Sequence, residues 1–282
     1  MQVIQDKEEL KSVLEKQQTD NLAVGFVPTM GALHKGHLSL VEQALTENDI
    51  VVVSIFVNPT QFDNKEDLEK YPNTLKEDIE LLQTISNNII LFTPTKEGIY
   101  DGQITSKTYE FNGLEKVMEG AFRPGHFNGV ATIVELLLTT VNPNKAYFGE
   151  KDFQQLQIIT KLVANKKLPV TIVPCPISRE ENGLARSSRN ERLSKTTRKA
   201  AGFIFKTLQT AKRKFGTENV QDIKEWVQHA FAKNTIFEME YFEITDESTL
   251  TPAKKVQSDL KYRAFIAVYA DGVRLIDNMP LN

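Results

Sequence analysis

LAVGFVPTMGALHKGHLSLVEQA, residues Leu22 to Ala44, decides how the rest of the chain is read. Its apolar opening, Leu22 to Val27, has the length and β-favouring content of a buried strand. Pro28 cannot donate to a sheet ladder and drives the residue before it toward extended geometry, so the strand is expected to end there. Gly31 and Gly36 loosen the backbone that follows. From His37 onward Leu38, Val41, Ala44 and Leu45 recur at three- and four-residue spacing, which predicts an amphipathic helix. A strand, a glycine-containing turn and a helix N-terminus together make an anion site, with free N–H groups and the helix dipole aimed at whatever lies over the strand's carboxyl end. His34 and His37, two of the chain's four histidines, sit in that turn.

The 282 residues suffice for one large domain or two ordinary ones, and with 40% hydrophobic and 25% charged residues a full core needs no crosslinks. A net charge of −3 gives no global attraction to nucleic acid or to an anionic membrane. The lone Cys175 excludes an intrachain disulfide and a cysteine-rich zinc site, and fits a reducing compartment. The charged start, MQVIQDKEELKSVLEKQQ, lacks the apolar core of a signal peptide, and no apolar run approaches the roughly 20 residues that span a bilayer. A cytoplasmic protein is expected, with no membrane and no nucleic-acid partner.

Strand and helix patterns alternate through the first two thirds. Residues 6–18 read as a surface helix; Ile50–Val57, nearly continuously apolar, as a strand covered on both faces; 62–74 as a loop with a short helical piece. Leu75, Ile79, Leu82 and Ile85 mark a helix, and residues 89–93 a third strand. Residues 94–128 form a long irregular insert, more often functional than idle. Gly129–Val141 is a buried helix by its length, Ala146–Phe148 a strand, 149–163 a turn opening a helix, and 168–173 another strand. This alternation predicts an α/β fold with a doubly wound parallel sheet, whose ligands bind outside the carboxyl ends of the strands. The turns at 28–37, 58–62 and 149–155 fall on that edge and are expected to converge on one crevice. After Cys175 the texture turns polar and basic, then gives two helical patterns, 196–213 and 221–233, and three alternating strands in residues 237–278. A boundary is expected near residue 176, with residues 177–282 forming a second, smaller α+β domain.

Two imidazoles above a helix N-terminus suit the charge that builds on a phosphate under attack, although the same pair serves equally as loop and cap residues. No third ligand completes a zinc site around them. Gly149, Glu150, Lys151 and Asp152 offer an ammonium and two carboxylates at a helix start, suited to a phosphate and a ribose hydroxyl or simply to helix capping. Arg186, Ser187, Ser188 and Arg189 suit polyphosphate, or a solvated basic loop. Gln61 and Gln155 are neutral donor–acceptors at the strand-edge turns, good for a hydroxyl or a carboxylate. Arg123 and His126 lie in the insert, where a lid competes with plain loop structure.

In combination these pieces resemble a known family. His34-Lys35-Gly36-His37 resembles the HIGH signature of the Rossmann-like nucleotidyltransferases, and RSSRN stands where class I aminoacyl-tRNA synthetases carry their flexible phosphate loop. PTMGALHKGH, SIFVNPTQF, YPNTLKED, RPGHFNGVATIV, FGEKDFQQL, SSRN and LIDN, in that order, are similar to the pantothenate synthetase (pantoate–β-alanine ligase) family over nearly the full chain. The resemblance implies ATP-dependent condensation of pantoate with β-alanine through a pantoyl adenylate, with Mg²⁺ arriving on ATP, no dedicated protein metal site, no tightly bound organic cofactor, and a homodimer. It implies that Met30, Gly31, Ala32, Leu33, His34, Lys35, Gly36 and His37 line the ATP site. His34 and His37 would meet the phosphates, and His37 would donate a proton. Gly149, Glu150, Lys151 and Asp152 would contact the nucleotide, Lys151 near the α-phosphate and Asp152 near the ribose. Ser187, Ser188 and Arg189 would clamp the triphosphate, and Ser178 would touch adenine. Gln61 and Gln155 would bind pantoate, Gln61 β-alanine as well, with Asn58, Arg123 and His126 in support. Arg186 departs from the apolar residue usual in the family. A related transferase acting on a phosphorylated acceptor should show a basic pocket where this chain has Gln61 and Gln155. A non-catalytic nucleotide-binding regulator would bind ATP and release no diphosphate.

Overall fold

The computed structural model describes residues 1–19, 21–62, 68–69 and 71–282. The polar stretch 62–74 therefore lies partly outside the described residues. In chain order the first elements are β1 (Gln2–Ile4), α1 (Lys7–Thr19), β2 (Val24–Thr29), α2 (Lys35–Glu47), β3 (Ile50–Ile55), α3 (Leu75–Gln83) and β4 (Ile89–Phe92). Then come α4 (Lys96–Tyr100), α5 (Glu119–Phe122), α6 (His126–Val141), β5 (Lys145–Gly149), α7 (Phe153–Lys166) and β6 (Thr171–Cys175). They form a six-stranded parallel sheet of order β1-β4-β3-β2-β5-β6, flanked by helices, so the α/β expectation holds. Val51, Val52 and Val53 are all buried, as a strand covered on both faces requires. On one face Leu38, Val41 and Ala44 of α2 pack with Leu82 of α3 against Val27, Val51, Val53, Ile89 and Leu91.

Several boundaries differ from the sequence reading. β2 runs through Pro28, which lies opposite Ser54 of β3, because the ladder to β5 involves only Gly25 and Phe26. The missing N–H therefore falls where β2 has a neighbour on one side alone. β1 escapes a periodicity search: it has three residues and one buried side chain, Ile4. α6 begins three residues before the apolar run, at His126, which is itself buried. The insert before it is not idle loop, since Phe111, Leu114 and Met118 are buried.

The remaining elements are α8 (Lys195–Ala200), α9 (Gly202–Lys214), α10 (Val220–Ala232), β7 (Glu238–Asp246), β8 (Tyr262–Ala270) and β9 (Val273–Pro280). The strands form an antiparallel sheet β7-β8-β9, and its buried side chains pack with Ile204, Leu208, Ile223 and Val227 of α9 and α10. The single helix expected over 196–213 is divided at Ala201, where the Asn182 side chain donates to the carbonyls of Arg198 and Lys199, at 2.8 and 3.3 Å. The chain divides into two compact units: Met1–Glu150 with Gln155–Pro176, and Lys151–Gln154 with Ile177–Asn282. Among the described residues, no helix is long and apolar enough to cross a membrane.

Candidate active site

Strand order in the large sheet reverses between β2 and β5, so the crevice of a doubly wound sheet lies beyond the ends of these two strands. The turn after β2 holds two consecutive residues at positive φ, Gly31 at 79° and Ala32 at 50°. For alanine that conformation costs about 1–2 kcal/mol and needs a clamp. Asp78 of α3 supplies it: Oδ2 accepts from the Ala32 N–H at 2.9 Å and Oδ1 from the Leu33 N–H at 2.7 Å. A Cβ on Gly31 would stand 3.0 Å from Asp78 Oδ2 and from Ile55 Cγ2, so any side chain there is crowded as well as strained by the positive φ. Asp78 is 2% exposed. Burial raises its pKa more than the two amides and the Thr74 hydroxyl lower it.

α2 starts at Lys35, earlier than the apolar spacing implied, with His34 as its N-cap and Gly36 inside the first turn. His34 Nδ1 accepts from the Gly36 N–H at 3.1 Å, and His37 Nδ1 accepts from the His34 N–H at 3.3 Å. The His37 and Leu38 N–H groups donate to the His34 carbonyl. Amides expected to face an anion are thus engaged in the cap. What the cap offers instead follows from the tautomer: with Nδ1 accepting, each neutral ring carries its proton on Nε2. The two rings stack, centroids 4.0 Å apart and 25° from parallel.

The 58–62 turn is brought to the same place, for Gln61 Nε2 lies 2.7 Å from Met30 Sδ. Gln61 ends a short 3₁₀ turn, Pro59–Gln61, capped by Asn58. Asn58, 1% exposed, donates to Gln61 Oε1 and to the Gly129 carbonyl, both at 3.1 Å, while its oxygen accepts from the hydroxyls of Thr60 and Tyr100. His126 Nδ1 donates to the Gln61 carbonyl at 2.9 Å, which leaves Nε2 to accept from Arg123 at 3.2 Å. Asn58, His126 and Arg123 therefore orient Gln61. α6 approaches through Gly129, where a Cβ would lie 2.2 Å from the Thr60 carbonyl oxygen and 2.7 Å from Gln61 Cα. A cavity of about 290 Å³ is lined by Gln61, Phe62, Lys107, Thr108, His126 and Asn128 among others.

Gly149 ends β5 and Glu150 opens the 3₁₀ turn Glu150–Asp152, both in the first unit, and Gln155, half-buried, lies on α7 in the same unit. Lys151 and Asp152 belong to the second unit, their charges 3.6 Å apart. There the Arg186 N–H donates to the Ser178 carbonyl at 2.9 Å, closing a hairpin whose ends are Arg179 and Ala185. Ser187 caps the 3₁₀ turn Ser188–Arg192, its Oγ accepting from the Arg189 N–H at 3.2 Å. Beneath the turn Asn190, 1% exposed, donates to Glu180 Oε1 at 3.0 Å and to the Ala185 carbonyl at 3.1 Å. Burial raises the Glu180 pKa, but hydrogen bonds from Arg198 and Asn190 outweigh it and hold the carboxylate below its ordinary range. Asp78, Tyr100, Gly129 and Glu180 were not singled out by the sequence reading. Asp78 lies in YPNTLKED and Gly129 in RPGHFNGVATIV, which was the available signal.

Residues 2–280 match the family model described as pantoate-beta-alanine ligase. Pantothenate synthetases of Christiangramia forsetii and Flavobacterium psychrophilum are 56% and 52% identical, each over 100% of both chains. The crystal structure of pantothenate synthetase from Thermus thermophilus is similar with a TM-score of 0.91 at 39% identity, covering 100% of this chain and 99% of that one. The pantoate-beta-alanine ligase of Francisella tularensis, complexed with beta-gamma ATP and beta-alanine, is similar with a TM-score of 0.82 at 35% identity, covering 100% and 98%. The chain belongs to the pantoate–beta-alanine ligase family.

Proposed function

We propose that this chain condenses pantoate with β-alanine at the expense of ATP through an enzyme-bound pantoyl adenylate. A carboxylate is a poor acyl donor because its leaving oxygen is too basic. In the first step a pantoate carboxylate oxygen attacks the α-phosphorus of ATP, the bond to the β-phosphate oxygen breaks, and diphosphate leaves. In the second step the β-alanine amine attacks the acyl carbon, the bond to the AMP oxygen breaks, and the amine's proton passes to solvent. Mg²⁺ enters with ATP as part of the substrate.

The observation that carries the reading is the pairing of the His34–His37 cap with Met30 and Gln61 at the switch point of the sheet. Two Nε2–H donors suit the charge that grows on the phosphates as diphosphate departs, and His37, its Nδ1 occupied by the His34 N–H, would stabilise that charge by hydrogen bonding with its proton retained. Gln61, held at both its backbone and its side-chain oxygen, suits a neutral hydroxyl and the carboxylate of pantoate, and the amine of β-alanine afterwards. Gln155 would hold pantoate too. Met30 to His37, with Gly149 and Glu150, would line the nucleotide. Lys151 would neutralise the α-phosphate and Asp152 take the ribose hydroxyls. Ser187, Ser188 and Arg189 would clamp the β- and γ-phosphates, and Ser178 and Arg186 would border the adenine. The ATP and β-alanine complex of the Francisella tularensis relative supports both substrates. A cytoplasmic homodimer follows from the family resemblance alone.

The intermediate is tested by isotope transfer. Pantoate labelled with ¹⁸O in its carboxylate should deliver one labelled oxygen to AMP during pantothenate formation. Unlabelled AMP from labelled pantoate would overturn the adenylate step.

A further inference from the structure

The motif LIDN, residues 275–278, is absorbed by none of these roles, yet both of its polar side chains are buried: Asp277 at 4% and Asn278 at 1% exposure. Both stand on β9, and neighbouring strand residues point to opposite faces of a sheet, so two adjacent side chains serve two different segments. Asp277 takes Arg179 in a two-pronged bond, 2.6 and 2.9 Å. Arg179 opens the hairpin that leads into Ser187–Arg189, and its guanidinium lies 4.0 Å from the Phe205 ring centroid. Asn278 Nδ2 donates to the Lys151 carbonyl at 2.8 Å while its Oδ1 accepts from Arg263 at 2.6 Å. Arg263, on β8, stacks 3.8 Å above the Phe153 ring, two residues beyond Lys151, and pairs with Glu247 at 2.8 Å. Lys151–Gln154 and the 177–282 stretch form one compact unit. The amide of Asn278 is fixed at both ends, so its direction, and with it the backbone of Lys151, is set by Arg263.

We propose that Asn278 is a positioning residue for the ATP-dependent step. With Arg263 it fixes Lys151, while the adjacent Asp277 fixes the hairpin that carries Ser187, Ser188 and Arg189. The lysine and the serine–arginine loop are thereby held in register by one strand end. This rests on the reading of Lys151 as a phosphate ligand, and the test separates the two.

The variants are N278D, K151A and N278D with K151A, each assayed as the full chain for diphosphate release, with Tm recorded. N278D keeps the acceptor for Arg263, removes the donor to Lys151 and sets a carboxylate against the carbonyl. It should melt within a few degrees of the parent and lose about ten- to a hundredfold in kcat/KM for ATP, the scale of a misplaced reacting group, with KM for pantoate within about twofold. The double variant should be no slower than K151A, because the loss runs through the lysine. Unchanged kcat/KM for ATP in N278D, an equal loss in pantoate affinity, or multiplying losses in the double variant would each overturn the proposal. Parental activity in K151A removes the phosphate-ligand reading and the proposal together; a crippled K151A with multiplying losses removes the proposal alone. If N278D does not fold, Arg263→Lys decides by the same parameters, since it loosens the orientation of Asn278 and keeps its bond to Lys151.

Discussion

Asp78 holds the amides of Ala32 and Leu33 from 45 or more positions away, and so clamps the end of the left-handed pair Gly31–Ala32, whose start is held by the Thr29 hydroxyl on the Gly31 N–H. Asp78→Ala removes this acceptor from two half-buried N–H groups, at about 1–3 kcal/mol each. Urea unfolding should show a loss of about 2–4 kcal/mol, and activity should fall further than Tm suggests, because the turn leads directly into the His34 cap. Wild-type stability in that variant would mean that the turn holds itself. The histidines were legible as a pair in a turn, and the cap geometry was not. Spacing marks His34 and His37 as neighbours; which ring nitrogen is consumed depends on where the helix begins, and Gly36 obscured that start. Gln61 was legible as a polar residue at a strand edge. Its supports were only named, since hydrogen bonds from Asn58 and His126 to Gln61 are made by folding, not by sequence periodicity.

At the scale of elements, α6 shows why a helix glycine is kept. Alanine is the better helix former by about 1 kcal/mol. At position 129 that gain is set against a Cβ placed 2.2 Å from the Thr60 carbonyl oxygen and 2.7 Å from Gln61 Cα. Overpacking of this kind costs about 1–3 kcal/mol, so the contact wins. Gly129→Ala should destabilise the protein by about 1 kcal/mol or more and raise KM for pantoate at least several-fold, with KM for ATP nearly unchanged, as Gln61 is pushed aside. Equal changes in both constants would place Gln61 elsewhere in the reaction. Long elements with one strong period were readable: α2, α6, α7, β3 and the three C-terminal strands all stand where the pattern put them, within a few residues. Those misread depended on distant partners. β2 passes Pro28 because β5 pairs only its first half, and the 196–213 helix divides because Asn182 takes two of its carbonyls.

For the whole molecule, stability should depend on pH through carboxylates of opposite behaviour. Glu180, Glu135 and Asp246 have native pKa values below their ordinary ones. In each case burial raises the value and is outweighed, for Glu180 by Arg198 and Asn190, for Glu135 by Tyr109 and Lys107, and for Asp246 by Ser248 and Thr249. Between the lowered native value and the ordinary one the unfolded chain binds more protons, so their stabilisation is full above about pH 4.5 and is lost as pH falls through the native values. Asp78 and Asp277 act oppositely: burial raises their native pKa values above 3.8, so the folded chain binds the extra proton and their own contribution improves as pH falls. Glu180→Gln should lower stability at neutral pH by about 1–3 kcal/mol, the scale of a charged hydrogen bond lost, and lose its effect in acid. A variant deficit that grew in acid would reverse the sign of this assignment. The parallel sheet was legible from alternation, and the smaller sheet from its period of two. The return of Lys151–Gln154 to the second unit was not, because the groups that hold Lys151 and Phe153, Asn278 and Arg263, lie more than a hundred residues later.

The most direct measurement is diphosphate release on rapid mixing with ATP, Mg²⁺ and pantoate, in the absence of β-alanine, for the parent and for His37→Ala. The account predicts one burst of about one equivalent per active site, absent without pantoate, followed by turnover only when β-alanine is added, with the burst slowed by about a hundredfold or more in the variant. Diphosphate that appears only once β-alanine is present, or that appears without pantoate, would contradict it.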